Sequence, residues 1–420
     1  MKKIRNLHAL ADREHAREPM GRASELPFWT RIRNARRGKG DAEAPIGLDE
    51  EGALYRSATG TAEETQWVLI WRRFKKHRLA MGSLVVVGLL YLVAIFAEFV
   101  APMDPRAFDS RFPYAPPHTI RLMHRSPEGR TFRPHVLGYT VVLDQLRFIR
   151  TFEEDPEQII DIGFFVATEP YKLMGFIPME RRLFGAKNPE DYVFLLGADR
   201  LGRDLLSRMI YGTRISMTVG LVGVAMSLIL GVALGGISGY FGGAVDTFIQ
   251  RLIEFLQSIP SIPLWLGLSA AIPPRVDPLR VYFYITIILS VLGWTGLGRV
   301  VRGKFMSLKT EDFVVAARLD GCSSFRIIRR HMVPSFASHI IATTTLAVPH
   351  MIIGETSLSF LGLGLRAPVI SWGVLLQEAQ NIRTVSMAPW LLLPGVMVAI
   401  AVLALNFLGD GLRDAADPYA

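Results

Sequence analysis

The sequence predicts an all-α polytopic membrane protein with six transmembrane helices and a small α+β or β-rich domain inserted between the first two. Two observations lead to this fold class. Half of the 420 residues are hydrophobic and the mean hydropathy is +0.28, more apolar than a typical soluble chain. Apolar runs near or above roughly 20 residues, the length that crosses a bilayer, recur along the chain.

The polar segment before the first apolar run divides into two parts. Residues 1–62 mix Arg, Glu, Gly and Pro with few large apolar residues, so we expect a partly disordered cytoplasmic tail. Residues 63–78 place two Trp, one Ile and one Phe on one helical face, which predicts an amphipathic elbow helix among the lipid headgroups. This polar beginning does not fit a secretory signal peptide.

Six apolar runs follow, and two of them contain residues that interrupt a regular helix. Pro260 and Pro263 break the third run, and Pro349 and Glu355 interrupt the fifth. Each proline removes a helical hydrogen bond, and the kink is either part of a pathway or hinge, or a static bend. The predicted spans TM1 to TM6 cover residues 79–100, 214–240, 248–272, 281–301, 337–365 and 389–408.

Glu355 is expected at membrane depth, where a carboxylate is energetically costly. Three interpretations stay open for this side chain. It faces the pathway and gates it, it pairs structurally with a cation such as Arg366, or it lies near the outer interface. We expect a structural or gating role.

Basic residues predict the orientation of the spans. Lys and Arg crowd residues 72–78 before TM1 and the loop 302–336 before TM5, so both segments are expected in the cytoplasm. Six crossings then leave both termini cytoplasmic and the segment 101–213 in the periplasm. Residues 214–420 form the helical core with TM2 to TM6.

The periplasmic segment is too long for an ordinary connection between two spans. Strand-like pieces occur at residues 135–143 and 159–166, among many Pro and Gly. We therefore expect an inserted subdomain at about residues 112–192.

The stretch Val314–Pro334 is too charged to lie in lipid and is predicted to form two short amphipathic helices hinged at Gly321. A polar helical hairpin between two membrane spans offers a binding surface to a cytoplasmic protein. This feature makes the chain a candidate transporter subunit that is driven by another protein.

Two glycine patterns need separate interpretations. Gly231, Gly235 and Gly239 recur at a spacing that lets two helix backbones approach closely, as a sliding contact or as static packing. Residues 298–304 match a phosphate-binding loop, Gly-x4-Gly-Lys, but Phe305 replaces the hydroxyl residue that would bind Mg²⁺. The stretch also follows an apolar helix rather than a strand, so we expect no nucleotide site here.

Other function classes find little support in the sequence. The formal net charge of +9 suits cytoplasmic loops of a membrane protein better than nucleic-acid binding. His331 and His339 have no acidic partner nearby in the sequence, so no metal site is predicted. The single cysteine, Cys322, excludes an internal disulfide.

Five motifs lie between about residue 67 and the C-terminus. They are APMDP at 101–105, LGADRLGRDLLSR at 196–208 followed by Tyr211-Gly212, the segment 316–334, ETSLSFLGLG at 355–364 with Pro368 and SWG at 371–373, and NFLGDGLRD at 406–414. Together they resemble the C-type permease subunit of bacterial oligopeptide/dipeptide ABC importers. The resemblance implies the bundle of a type I importer. The outer segment and the N-terminal tail are longer than usual for this family.

The segment 316–334 resembles the "EAA" loop with which such permeases dock on an ATPase. Val315 stands where that loop often has Glu, while the two alanines, the glycine and the proline are present. The resemblance implies an ATPase-coupling site made of Ala316, Ala317, Asp320, Gly321, Arg326, Arg329, Arg330, His331 and Pro334.

The resemblance also implies the setting and the partners. The chain would lie in a bacterial inner membrane with a homologous permease, two cytoplasmic ABC ATPases that bind ATP and Mg²⁺, and a periplasmic substrate-binding protein. The chain itself would be non-catalytic and hold no cofactor. Peptides are the implied solute, with oligosaccharides or another small solute as the alternative.

Two rival classes remain for comparison. A secondary carrier that works without ATP would show an internal repeat and intramembrane charges for ion coupling. We see no clear repeat and few deep charges besides Glu355. A membrane enzyme acting on lipid or peptidoglycan would need a nucleophile with its base, or a metal site, and the sequence offers no such arrangement.

Overall fold

The computed structural model describes residues 66–416, apart from residues 127–128, 145–148 and 274. The tail predicted at residues 1–62 therefore lies outside the described residues. Three helices precede the sheet: α1 (Gln66–Lys76), α2 (Arg78–Ile95) and α3 (Ala97–Val100). After the sheet come α4 (Leu205–Phe241), α5 (Gly243–Ser258), α6 (Ser261–Ala270), α7 (Pro278–Leu308), α8 (Asp312–Leu319), α9 (Ser324–Ile327), α10 (Val333–Ser335), α11 (Ala337–Phe360), α12 (Trp372–Leu376), α13 (Ile382–Met387) and α14 (Leu393–Ala416).

Within the described residues, five helices are long and apolar enough to cross a membrane. They are Arg78–Ile95, Leu205–Phe241, Pro278–Leu308, Ala337–Phe360 and Pro389–Ala416, of which the last includes a 3₁₀ turn before α14. They correspond to five of the six predicted spans. The predicted third span, 248–272, is divided between α5 and α6, and each of these helices is shorter than the others.

The helices begin where capping residues allow them to begin. Asp204 caps α4, because its carboxylate accepts a 2.7 Å hydrogen bond from the backbone N–H of Ser207. The helix therefore starts at Leu205, before the expected boundary at Arg214. Asp277 caps α7 in the same way, with Pro278 at the first helical position, where its missing N–H has no cost.

The inserted segment forms an antiparallel four-stranded sheet in the order β1-β2-β3-β4. Its strands are β1 (Arg121–Ser126), β2 (Gly129–Asp144), β3 (Ile149–Leu173) and β4 (Ile177–Ala186). The strand-like pieces predicted at 135–143 and 159–166 fall inside β2 and β3. Of the two predicted alternatives, the β-rich one agrees with the structure across the described part of residues 112–192.

One apolar cluster joins the ends of the chain in the helical core. Phe74 of α1 is 1% exposed, and a Cβ on Gly411 of α14 would overlap Ala80 of α2. The elbow helix is thus packed against the last helix through Phe74, while Trp71 stays 46% exposed. The central part of the cluster includes Met217, Ile285, Leu289, Ile352, Leu358, Trp372 and Leu405.

The three spaced glycines lie at the contact between α4 and α7. A Cβ on Gly239 would come 2.6 Å from the carbonyl oxygen of Arg302, and one on Gly235 would overlap the backbone of Gly298. A Cβ on Gly231 would come 3.0 Å from the Leu297 side chain. The two backbones approach so closely that no side chain fits between them. The phosphate-loop-like stretch 298–304 is part of this continuous helix α7.

We predict that Gly235→Ala destabilises the protein, because the added methyl group must push α4 away from the backbone of α7. Overpacking of this kind costs about 1–3 kcal/mol. The matched control is Gly88→Ala on α2, where a Cβ would meet nothing within 4 Å. Thermal unfolding of the purified protein should show a lower Tm for Gly235→Ala than for the control. Equal Tm values would contradict the close contact.

Candidate functional site

The polar hairpin consists of residues 312–336 and is built from short helical pieces. Helix α8 ends at Leu319, Gly321 turns the chain with φ 73°, and α9 begins at Ser324. A positive φ is easy for glycine, which is why the hinge falls at this residue. A π-helical turn, Ile328–Met332, and α10 then lead into α11.

One face of the hairpin is fixed to the helical bundle. Val314 and Met332 are fully buried, and Ala317 and Ile327 are 7% and 1% exposed. Together with residues from α4, α7 and α11 they form one apolar cluster, which we call the anchor cluster. Its other members are Tyr240, Leu297, Val301, Phe305, Phe336 and Ile340.

Polar contacts strengthen the attachment of the hairpin. The ring of Tyr240, at the end of α4, lies 5.9 Å from the Lys309 ammonium and 5.9 Å from the Arg318 guanidinium. These are cation–π distances, which join the end of α4 to both flanks of α8. The hairpin cannot move far without moving the helices that hold it.

The other face of the hairpin presents apolar side chains to solvent. Leu319 is 83% exposed and Phe325 is 70% exposed, although both lie in a charged segment. Phe313 and Val315 are also exposed. Large apolar side chains that are exposed this close together in the sequence make this face a candidate protein-binding surface.

The predicted coupling residues divide between these two faces. Ala317 belongs to the anchor cluster, while Ala316 on the same helix is exposed, so a close neighbour can reach the helix backbone there. His331 is half-buried. The remaining predicted coupling residues are exposed: Asp320, Gly321, Arg326, Arg329, Arg330 and Pro334.

A second ion pair lies near the hairpin, where α4 turns into α5. Arg302 of α7 donates two hydrogen bonds, of 2.5 and 2.6 Å, to the Asp246 carboxylate of α5. Ser238 donates to the same carboxylate.

A cavity of about 410 Å³ opens between α4, α6, α7 and α11. Its wall is largely apolar, but it includes Ser227, Trp265, Thr343, Thr344 and His350. The indole N–H of Trp265 and the hydroxyl of Thr344 are buried without a hydrogen-bond partner among the described residues. The cavity therefore has unused polar atoms in its wall.

The predicted pathway prolines lie at different depths around this cavity. Pro349 is buried inside α11, next to the cavity residue His350. Pro260 caps the start of α6, and Pro263 lies in its first turn. The chain breaks at Pro260 between α5 and α6, whereas Pro263 interrupts no helix, because the first turn has free N–H positions.

Glu355 is fully buried and surrounded by hydroxyl groups. Its carboxylate accepts hydrogen bonds from Ser359 and Ser371, both 2.8 Å, and from Ser216 at 3.4 Å. Arg366 is exposed and donates instead to the backbone oxygen of Gly362. The carboxylate therefore joins α4, α11 and the start of α12 without a cation, and Arg366 is not its partner.

A network of ions at the start of α4 was not predicted as a site. Asp199 is 1% exposed and accepts a 2.6 Å hydrogen bond from Arg203 and another from Arg208. Glu378 follows α12 and lies 3.8 Å from Arg203 and 3.9 Å from Arg208. Burial, and then the charge of Asp199, raise the pKa of Glu378. The motif at 196–208 holds three members of this network, but nothing in the sequence indicated Glu378.

We predict that Glu355→Ala destabilises the protein strongly, because three buried serine hydroxyls lose their acceptor. Each unsatisfied buried group costs about 1–3 kcal/mol. Glu355→Gln keeps one carbonyl oxygen and should cost much less. The control is Glu254→Ala, at an exposed ion pair with Arg251. Thermal unfolding should give Glu355→Ala the lowest Tm of the three variants. A Tm equal to that of the control would mean that the hydrogen bonds to Glu355 do not stabilise the bundle.

Two family models match the chain. Residues 231–419 match the binding-protein-dependent transport system inner membrane component, and residues 65–117 match the N-terminal TM domain of oligopeptide transport permease C. The first match covers the anchor cluster, the polar hairpin, Glu355 and the part of the cavity wall that α6, α7 and α11 supply. The second covers α1 to α3. Most of the sheet lies between the two matches.

Curated relatives agree with these models. The dipeptide transport system permease protein DppC of Lactococcus lactis is 30% identical over 83% of this chain and 90% of its own length. The oligopeptide transport system permease protein OppC of Haemophilus influenzae is 40% identical over 56% of this chain and 72% of its own length. Among solved structures, a chain of the MetNI methionine ABC transporter matches with a TM-score of 0.39 and 15% identity, over 50% of this chain and 96% of that chain.

Members of this family are transport components rather than enzymes, and they span the inner membrane several times. The similarity reaches nearly the whole length of one relative and includes the residues that form the polar hairpin. The chain therefore belongs to the family of binding-protein-dependent ABC transport permeases, in its oligopeptide and dipeptide permease C branch.

Proposed function

We propose that this chain is one of two homologous permease subunits that form the translocation pathway of an ATP-driven peptide importer. The observation that supports this most directly is the two-faced hairpin. Its buried face joins the anchor cluster, and its outer face exposes Leu319 and Phe325. An exposed surface that is fixed to membrane helices can transmit force from a bound partner.

The proposed partner of this surface is one of two cytoplasmic ABC ATPases. The apolar side chains would fill a cleft, the exposed Ala316 would allow close approach, and Arg326, Arg329 and Arg330 would pair with carboxylates. ATP and Mg²⁺ would bind to the ATPases alone. A swing from 1:99 to 99:1 between two conformations takes about 5.5 kcal/mol of differential binding. Because the hairpin is fixed to the anchor cluster, a movement of the bound ATPase would move the helices of the bundle rather than the hairpin alone.

The proposed topology has six spans, with α5 and α6 together as the third. The basic residues of the hairpin and of α1 favour a cytoplasmic position for both. Both termini would then be cytoplasmic and the sheet periplasmic. A periplasmic binding protein would deliver solute on the side of the sheet.

The proposed pathway runs along the cavity between α4, α6, α7 and α11. Several residues of α6 stay exposed, including Pro260 and Pro263 at its start, which leaves a surface for the second permease. The kink at Pro349 adjoins the cavity, and movement there would bring the free polar atoms of Trp265 and Thr344 within reach of a solute. In this proposal the contact of Gly231, Gly235 and Gly239 with α7 keeps the half-bundle rigid.

Peptides are the proposed solute because the similar proteins are named as dipeptide and oligopeptide permeases. The rival of an ATP-independent carrier requires a deep charge that exchanges ions with the pathway. Glu355 is the deep carboxylate singled out by the sequence, and serine hydroxyls donate hydrogen bonds to both of its oxygens. That arrangement supports a latch rather than an ion-coupling site.

We predict that Phe325→Ser lowers ATP-driven uptake of a labelled peptide at least tenfold in proteoliposomes that hold the assembled transporter. Truncating an aromatic anchor of hot-spot strength weakens docking by about 2–4 kcal/mol, and every 1.4 kcal/mol is a factor of ten. The matched control is Phe132→Ser on β2, which removes an equally exposed ring, 73% against 70%, from the sheet. The control should keep wild-type uptake and ATP hydrolysis.

Three outcomes of that assay would contradict the proposal. Uptake without ATP would favour the secondary carrier. Competition by oligosaccharides but not by peptides would assign the other solute class. Wild-type uptake and co-purification of the ATPases in Phe325→Ser would remove the hairpin as the coupling surface.

We predict that Cys322, in the turn of the hairpin, reacts with a membrane-impermeant maleimide only from the cytoplasmic side. It is the single cysteine and is partly exposed. In a Cys322→Ser background, Phe132→Cys should react only from outside, because the sheet is proposed to be periplasmic. The reaction of each cysteine is measured separately in intact cells and in inside-out vesicles. Labelling of Cys322 in intact cells would reverse the orientation.

A further inference from the structure

The turn between β3 and β4 has an unusual composition. Residues 173–179 read LMGFIPM, without a polar side chain, where turns at a sheet edge are ordinarily polar. Phe176 is 70% exposed, Met174 46% and Ile177 42%. We call these three residues the hairpin tip. Nothing in the sheet covers them.

The backbone of the turn does not explain this choice of residues. Met174 has φ 54° and Gly175 has φ 87°, so both adopt the left-handed conformation. A side chain in that conformation costs roughly 1–2 kcal/mol, and Gly or Asn is the usual residue. Methionine at this position thus adds an apolar side chain although its backbone conformation is energetically unfavourable.

Specific contacts place the hairpin tip at the end of a membrane helix. Helix α3, which carries the Glu98 carboxylate, packs against both β3 and β4. The same carboxylate forms a bidentate ion pair with Arg214 of α4, at 2.6 and 2.7 Å. The residue after Glu98 is Phe99, and the centroid of its ring lies 6.3 Å from that of Phe165 on β3. Phe165 is 58% exposed.

The ion pair marks the level at which the apolar helices reach polar surroundings. Arg214 also donates to the backbone oxygens of Ala94 and Ile95, which end α2. Below this level α2 exposes a lipid-facing surface of apolar side chains. It consists of Val85, Leu89, Leu92 and Ile95, each 44% exposed or more.

Helix α3 and its ion pair thus join the end of α2 to the two strands that carry the hairpin tip. Aromatic side chains at such a level are typical of residues that lie in the membrane interface. Lys172, Glu180 and Arg181 flank the turn and are exposed. Long basic side chains there can reach lipid phosphates while the tip points into the acyl region.

We propose that the hairpin tip, with Phe165, inserts into the interfacial layer of the lipid bilayer and anchors the sheet to the membrane surface. Its occupant is lipid rather than the second permease or the binding protein, because the tip is apolar and its strands pack against α3, which directly follows the lipid-facing helix α2. This proposal depends on the membrane position of the chain and not on its solute.

The experiment measures the surroundings of a nitroxide label in the assembled transporter in lipid nanodiscs. In a Cys322→Ser background, Phe176→Cys carries the label, and Phe132→Cys on β2 is the control with matching exposure, 70% against 73%. Power-saturation EPR compares collisions with O₂, which concentrates in lipid, and with a polar nickel chelate, which stays in water. The label at position 176 should collide more with O₂ than with nickel, and the label at 132 more with nickel.

Two results would overturn the proposal. A label at position 176 as accessible to nickel as that at 132 would place the tip in water. A label protected from both reagents would mean that protein covers the tip. The readout needs no transport, so a failure of the peptide assay and a failure of this test are distinguishable.

Discussion

The close approach of α4 and α7 is the contact on which the rest of the helical structure depends. Where the glycines lie, the two backbones touch directly, and a Cβ on Gly235 would overlap Gly298. Immediately beyond this contact, Tyr240 and Phe305 meet in the anchor cluster. The position of the polar hairpin is thus set by how α4 and α7 pack, because both helices end in the cluster that holds it.

Two buried polar groups secure the opposite end of the same helices. Glu355 joins three segments through serine hydroxyls, and Asp199 gathers two arginines at the start of α4. Each group also has one distant participant: Ser216 of α4 donates to Glu355, and Glu378 lies beside the two arginines of Asp199. The bundle is therefore held by backbone contact and an apolar cluster at one end, and by hydrogen-bonded carboxylates at the other.

Sequence patterns predicted those features that depend on local periodicity and composition. Five apolar spans, the hinge at Gly321 and the strands within the insertion follow from hydrophobic runs, glycine and alternation. The early start of α4 and the partner of Glu355 did not follow from such patterns. The early start of α4 follows from the local cap between Asp204 and Ser207, which the pattern of apolar runs does not indicate. The partners of Glu355 are more distant: Ser371 is 16 residues away, and Ser216 is 139 residues away. A single sequence carries no signal for such pairs.

The division of predicted coupling residues has the same explanation. Ala316 and Ala317 are adjacent and identical, yet one is exposed and the other buried, because helix α8 turns one residue toward the anchor cluster and the next away. The sequence predicted the helix, but the direction of its buried face is decided by the anchor cluster, whose member Tyr240 lies far away in the chain.

The ion pair between Glu98 and Arg214 has a consequence for how the molecule moves. It ties the first membrane helix to α4, and α3, which carries the same carboxylate, packs against β3 and β4. If these two helices tilt, the sheet must therefore move with them. In the proposed topology the sheet lies on the membrane face opposite the ATPases. Its displacement would then indicate each ATP-driven conformational change of the helices.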